Sequence, residues 1–308
     1  MSRIGYLGPP GTFTEQALRA SAARLGLDGA ERVPLATNRE VVLALARGDV
    51  EHAIVPLENS LEGSVNEAID ALVHDAPQAR ITGETVLPVH HALVGPAGSD
   101  PAAARIVLSH PQALAQCAGF LRAELPGART VAATSTAEAV RLALTANEPA
   151  CAIATPLAAE LYGASVLRAN VEDDPSNMTR FVWLAGEPAL LGDEAPGGAG
   201  DTADHGGAGW AAAPEGAWKT SIVFSGDGDG APGWLLDCLA EFARRGVNLT
   251  RIESRPAKRR LGHYLFLIDA GGSADIPGQT ADAVAALAGH CEQVRILGSY
   301  HTAPAPGT

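Results

Sequence analysis

Lysine is almost missing from this 308-residue chain. Lys219 and Lys258 are the only two, and every other fixed cation is an arginine. Residues 1–218 therefore hold neither a Schiff-base lysine nor a phosphate-loop lysine, which takes pyridoxal and ATP chemistry out of that region. Basic charge is scarce overall: Lys+Arg 22 stand against Asp+Glu 35, for a net charge of −13. With a pI near 5.1 this argues against nucleic acid or an anionic membrane as partner. Cysteine is sparse too. Cys117, Cys151, Cys238 and Cys291 lie far apart and form no CxxC. That suits free thiols in a reducing cytoplasm and gives no support to zinc. The histidines include no HExxH, and the adjacent His90 and His91 would point to opposite faces of a strand; no metal site is expected. No run approaches the ~18 apolar residues of a membrane span. The opening MSRIGYLGPPGTF lacks the basic-then-apolar order of a signal peptide.

What is present is core-forming: hydrophobic residues make up 46% of the chain, and the length suggests about two domains. Residues 186–218 break the pattern. They are rich in Gly, Ala, Pro and Asp, without lysine or arginine. Such a segment cannot bury enough surface to offset its ordering entropy and reads as a flexible linker. The expected division is 1–185, a linker over 186–218, and 219–302. On the tether reading, a chain cut near residue 186 keeps its activity.

The first region repeats one grammar. A short apolar strand runs into Ser/Thr-x-x-Glu/Gln, which starts a helix. The pairs are Thr12…Glu15, Thr37…Glu40, Ser64…Glu67, Ser109…Gln112 and Ser135…Glu138, with Thr155-Pro156 as a further cap. Repetition after successive strands predicts α/β architecture. Helix N-termini gathered at the carboxyl edge of an open sheet would favour an anion without any lysine.

Three stretches carry more polar chemistry than capping needs. IVPLENSLEGS sets Glu58, Asn59 and Ser60 at a strand end. VLSHPQALAQC sets Ser109 at a cap and Gln116 two helical turns further along the same face. DPSNMTRFVWL brings Asn177, Thr179 and Arg180 to the mouth of the apolar run Phe181–Leu184. Pro175, Ser176 and Asn177 also suit a plain turn. His110 and Gln112 read as structural, and Cys117 as a core thiol.

In the second region the order strand, helix, two strands, helix, strand predicts a ferredoxin-like βαββαβ unit. Its first helix should begin near Gly233, with Leu235, Leu236, Leu239 and Phe242 on one face. Gly228-x-Gly230-x-x-Gly233 imitates a dinucleotide fingerprint. Asp227 and Asp229 would repel a pyrophosphate, however, and the short connection PAKRRLG implies a hairpin rather than a parallel crossover. No NAD is expected.

In order along the chain, GPPGTFTEQA, PLENSLEGSVNEAID, LSHPQALAQC, TSTAEA, LYGASVL and NMTRF resemble prephenate dehydratases. PGWLL and ESRP resemble the C-terminal ACT regulatory domain of that family. The resemblance implies a two-lobed catalytic region like type II periplasmic binding proteins, followed by the ACT domain. It implies conversion of prephenate to phenylpyruvate, water and CO2 in phenylalanine synthesis, in the cytoplasm, without cofactor or metal. By motif, Thr179 is the central catalytic residue, with Asn59, Ser109 and Gln116 lining the cleft. Arg180, Glu58, Ser60, Thr12, Phe13 and Ser64 are the implied substrate contacts. Gly233, Trp234, Leu235, Glu253, Ser254, Arg255 and Pro256 are implied to bind phenylalanine as feedback inhibitor, in a homodimer or homotetramer paired through ACT domains. Two positions depart from the pattern: Pro10, where the family commonly has Glu, and Trp234, where it commonly has a small residue. Arogenate dehydratase and a non-catalytic amino-acid sensor are the alternatives.

Overall fold

The computed structural model describes residues 2–186, 217–226, 231–258 and 261–303. Most of the linker, together with Asp227, Gly228, Asp229 and Gly230, lies outside the described residues. The chain divides into two compact units, Met1–Ala71 with Val86–Phe181, and Leu72–Thr85 with Val182–Thr308.

The first unit opens with β1 (Arg3–Leu7), α1 (Phe13–Ser21), β2 (Glu31–Leu35), α2 (Asn38–Arg47), β3 (His52–Asn59), the short β4 (Gly63–Ser64) and α3 (Asn66–Asp70). Next comes β5 (Arg80–Pro88). A second sheet is then laid down by β6 (Ala92–Gly95), β7 (Ile106–Ser109), α4 (Pro111–Gln116), α5 (Ala118–Glu124), β8 (Arg129–Ala132), α6 (Thr136–Leu144), β9 (Ala150–Ala154), α7 (Pro156–Tyr162) and β10 (Ser165–Arg168). The chain returns to the first sheet through β11 (Met178–Ala185). The first sheet has the order β2-β1-β3-β11-β5 with β4 on β3, and the second β10-β6-β9-β7-β8. β1 runs parallel to β2 and β3, and β7 parallel to β8 and β9. This is the mixed α/β architecture expected. The second sheet is apolar on both faces: Val94, Ile106 and Leu108 pack on one side, Leu93, Val107 and Ile153 on the other. Hence ACAIA in β9 reads as an unbroken apolar run and is buried throughout. Phe181–Leu184 is likewise buried inside β11.

Capping follows the predicted boxes at Thr12, Thr37 and Ser135, each accepting from the backbone N–H three residues on. Thr155 caps α7 with Pro156 at its first position. Two boxes fail. Ser64 is taken into β4, so α3 begins after Val65 without a side-chain cap. Ser109 stays in β7, and His110 takes over as cap of α4, its Nδ1 accepting from Gln112 N. Ser109 extends its strand by one residue and Ser64 is taken up by a separate short strand paired to β3, and in both cases the backbone pairing displaces the cap.

The C-terminal part of the second unit contains β12 (Trp218–Ser225), α8 (Trp234–Arg244), β13 (Leu249–Pro256), β14 (Tyr264–Gly271), α9 (Gln279–Leu287) and β15 (Gln293–His301). These give a βαββαβ order and an antiparallel sheet β13-β14-β12-β15. β13 and β14 form the hairpin that PAKRRLG implied. Leu235, Cys238, Leu239 and Phe242 of α8 face this sheet, but Leu236 is 70% exposed, not on that face. It follows Leu235 by one residue, about 100° around the helix. Residues 72–85 are held to this same sheet: Arg295 donates to the carbonyls of Leu72 and Val73, Arg80 to that of Ile296, and Lys219 pairs with Glu84 at 2.9 Å.

Candidate active site

The end of β3 and the start of β11 are stitched side by side. Ser60 N donates to Met178 O at 2.8 Å, and Met178 N to Ser60 Oγ at 2.9 Å. Ser60 is thus engaged as a clamp. The stitch sets Asn59 beside the polar residues that lead into β11.

Asn59 is the hub, and its orientation follows from its backbone neighbours. Leu61 N and Glu62 N donate to Asn59 Oδ1 at 3.0 and 2.9 Å, so that atom is the carbonyl oxygen. Asn59 Nδ2 then donates to Asn177 Oδ1 (2.8 Å), Thr179 Oγ1 (2.9 Å) and Met178 O (3.2 Å). Asn177, oriented in turn, donates through Nδ2 to Gln116 Oε1 at 3.2 Å. Gln116 donates through Nε2 to Glu62 Oε1 at 3.3 Å and takes His91 Nε2 at 2.9 Å. The network therefore has one direction, set by two backbone amides. Thr179 Oγ1 receives a hydrogen bond, and its own hydrogen has no acceptor among the described residues. At 9% exposure the group is sheltered but reachable.

Gln116 ends α4, where α5 begins. Asp173 holds this junction by accepting from Gly119 N (2.7 Å) and Phe120 N (3.1 Å), while Asp173 N donates to Gln116 O. One residue earlier, Glu172 accepts from His91 N at 2.8 Å and meets His90 Nδ1 at 2.7 Å. Burial opposes its ionisation, yet the hydrogen bonds from His90 and the backbone outweigh it and hold the carboxyl below the ordinary range. His91 itself is buried against Phe13, ring edge to face at 5.2 Å, and burial keeps its pKa below that of a free imidazole. Arg180, 10% exposed at its side chain, lies 3.6 Å from Glu58 on the paired strand.

Of the residues expected from sequence, Thr179, Asn59 and Gln116 come together, with the Arg180–Glu58 pair on the same strands. Phe13 reaches the group through His91. Ser109 does not join: it is fully buried in β7, and its hydroxyl donates to Ile153 O at 2.6 Å. The same-face argument fails because the helix starts only after Ser109. Thr12 is engaged locally, donating to Leu7 O and accepting from Glu15 N. Ser64 sits in β4 opposite Glu58. Asn177 was marked from sequence as the amide at the strand mouth but given no role, and Glu62 and His91 were not singled out as site residues. Asn177 carried a legible signal, since it stands two residues before Thr179 and extended chain repeats its faces every second residue. Glu62 and His91 carried none.

In the second unit, Gly233 (φ 93°) precedes α8, where Trp234 and Leu235 form its first turn. Trp234 packs on Phe224 and Phe266 and donates from Nε1 to His290 O at 2.6 Å. Glu253, Ser254, Arg255 and Pro256 end β13, with Glu253 paired to Arg251. All four cysteines are free, and no cluster of three His, Cys, Asp or Glu suited to a metal occurs among the described residues. Nor is any described helix long and apolar enough to cross a membrane.

Comparison with known proteins gives the family. The prephenate dehydratase family model matches residues 4–189. The chain is 40% identical to a prephenate dehydratase of Amycolatopsis methanolica, over 97% of this chain and 88% of that one. Its fold is similar to that of the Arthrobacter aurescens prephenate dehydratase solved with L-Phe: TM-score 0.81, 34% identity, 99% of this chain and 91% of that one. It is also similar to GqqA, described as a novel type of quorum quenching acylase: TM-score 0.79, 31% identity, 98% of each chain.

Proposed function

This chain belongs to the prephenate dehydratase family, and we propose that Thr179 is the hydrogen-bond donor to the hydroxyl that leaves prephenate. The reaction converts prephenate to phenylpyruvate, water and CO2. The carboxylate bound to the ring departs as CO2. Its bonding pair moves into the ring, the C–O bond at the opposite carbon breaks, and the ring becomes aromatic. The departing oxygen takes up charge as the bond breaks, and a donor aimed there lowers the barrier.

The observation that carries this reading is the direction of the Asn59 network. Asn59 Nδ2 already fills an acceptor position of Thr179 Oγ1, which leaves the hydroxyl hydrogen for the substrate. The hydroxyl is far too weak an acid to ionise, so it donates without giving up its proton; the oxygen leaves as hydroxide and takes the proton that makes it water from the solvent. The substrate's two carboxylates suit Arg180 and the amide hydrogens of Gln116. Incubating purified protein with prephenate should release phenylpyruvate and CO2 in equal amounts; no release would end the reading. Amide hydrolysis with Thr179 as nucleophile, a reading the name of GqqA raises, would require a base to take its proton, and none is bonded to it among the described residues.

On the second unit we propose an ACT-type regulatory domain over residues 219–302, joined by the linker at 186–218 to a two-lobed, periplasmic-binding-protein-like catalytic region over 1–185. L-Phenylalanine binds at the turn before α8 and the end of β13, and the domains pair in a homodimer or homotetramer in the cytoplasm. Support comes from the βαββαβ connectivity and from the L-Phe complex of the Arthrobacter relative. Because the Trp234 indole is engaged with its own sheet, backbone groups of the turn remain to meet the amino acid. Calorimetry with phenylalanine should register binding accompanied by inhibition. Binding that appears only in Trp234→Ala would mean the indole plugs the pocket.

A further inference from the structure

We infer that His91 is a positioning residue for the reaction, acting through Gln116. The inference rests on the functional reading above. Gln116 Oε1 already accepts from Asn177 Nδ2, so it can only accept from His91 as well, and the His91 hydrogen must sit on Nε2. The other ring nitrogen, Nδ1, is buried and meets no hydrogen-bond partner. His91 is 2% exposed. A ring kept only to fill space would avoid this orphaned polar atom by being Phe or Leu. The imidazole is therefore present for its Nε2–H.

Together His91 and Asn177 clamp the Gln116 oxygen from two sides. An amide held by its oxygen cannot rotate end over end, so Nε2 stays turned toward Glu62. A Gln116 free to flip would offer its oxygen to the substrate in part of the population, and an acceptor repels a carboxylate. His91 is set in its turn by Glu172 on its backbone N–H and by Phe13 on its ring. The neutral Nε2–H tautomer suffices, and no proton moves through it.

The test uses the full-length enzyme, with His91→Phe to remove the donor at nearly constant volume and His91→Gln to return an N–H near the position of Nε2. His91→Phe should lower kcat/KM about ten- to a hundredfold, the range expected for a misplaced group, and His91→Gln should recover most of the loss. A purely structural role would lower the melting temperature in proportion to activity and would give no selective rescue by Gln. If His91→Phe does not fold, the comparison of His91→Gln with His91→Leu replaces it. In parallel, nitrogen NMR of the wild type should find His91 as the Nε2–H tautomer, and the Gln116 side-chain amide signals should shift in the donor-free variant. Activity of the donor-free variant within twofold of wild type, or an Nδ1–H tautomer, overturns the inference. Should wild type fail to turn over prephenate, the functional reading falls. The Gln116 signals then decide for His91: a shift supports the clamp and constancy overturns it.

Discussion

Asn59→Asp is the sharpest probe of the site, because it changes the direction of a hydrogen-bond chain while leaving its shape almost untouched. The new side chain keeps one oxygen for Leu61 N and Glu62 N. The other oxygen replaces Nδ2, the atom that now donates to Asn177 Oδ1, Thr179 Oγ1 and Met178 O. Thr179 then faces an acceptor and turns its hydrogen inward to satisfy it, so the donor is lost to the substrate. Removing one aimed donor corresponds to a fall of about 10²–10³ in kcat. Asn177 Oδ1 loses its donor outright, at about 1–3 kcal/mol, whereas Met178 O keeps the hydrogen bond from Ser60 N. A flip of Asn177 relieves that loss but sets its oxygen against Gln116 Oε1. A net loss of about 2 kcal/mol, or roughly 4–8 °C in Tm for a domain of this size, is expected. Phenylpyruvate formation, followed over a range of prephenate concentrations, separates kcat from KM, and thermal unfolding gives the stability. A folded Asn59→Asp enzyme with kcat within threefold of wild type would refute the directional argument, and with it the role of Thr179.

Thr179→Ala should lower kcat by about 10²–10³ with the fold intact, and Thr179→Ser should retain more activity; both are read by the same kinetics. Lys219→Met should destabilise the protein by about 3–5 kcal/mol in thermal or denaturant unfolding. It removes the ammonium that pairs with the Glu84 carboxylate, 4% exposed, at 2.9 Å. For the same reason a chain cut near residue 186 should be less stable than a simple tether implies, since residues 72–85 lose Lys219, Arg295 and the sheet that carries them. Stability should also fall as the solution is acidified. Burial lowers the folded-state pKa of His52 and of His91, so the unfolded chain binds their protons first. Their contribution is fully present above the unfolded value of about 6.5 and is lost as pH falls below it toward the folded values. Denaturant unfolding from pH 8 to 5 should follow this slope, and His91→Gln should flatten it; an unchanged slope would refute the assignment for His91.

Much of the architecture was legible because it rests on local rules. Strands running into Thr12, Thr37, Ser135 and Thr155 cap their helices as expected, since a hydroxyl one residue before a helix can reach only its first N–H groups. The apolar run after Arg180 is buried for the reason its composition suggested. The rule failed at Ser64 and Ser109, where a neighbouring strand offered the backbone a competing partner. Leu236 failed more simply, as one residue in excess of the face its helix buries.

The site divides along the same line. By themselves the residues determined that an amide, a hydroxyl and a cation stand at the mouth of a buried strand, and motif order determined the family. Which way each hydrogen bond points was decided by tertiary structure alone. Asn59 lies 120 residues from Thr179, and Gln116 lies 25 from His91. Spacing cannot reveal that Leu61 N and Glu62 N turn the Asn59 amide, or that the Nδ1 of His91 is sealed without a partner. A side-chain amide has two chemically opposite ends of nearly the same shape, and only the groups packed around it choose between them.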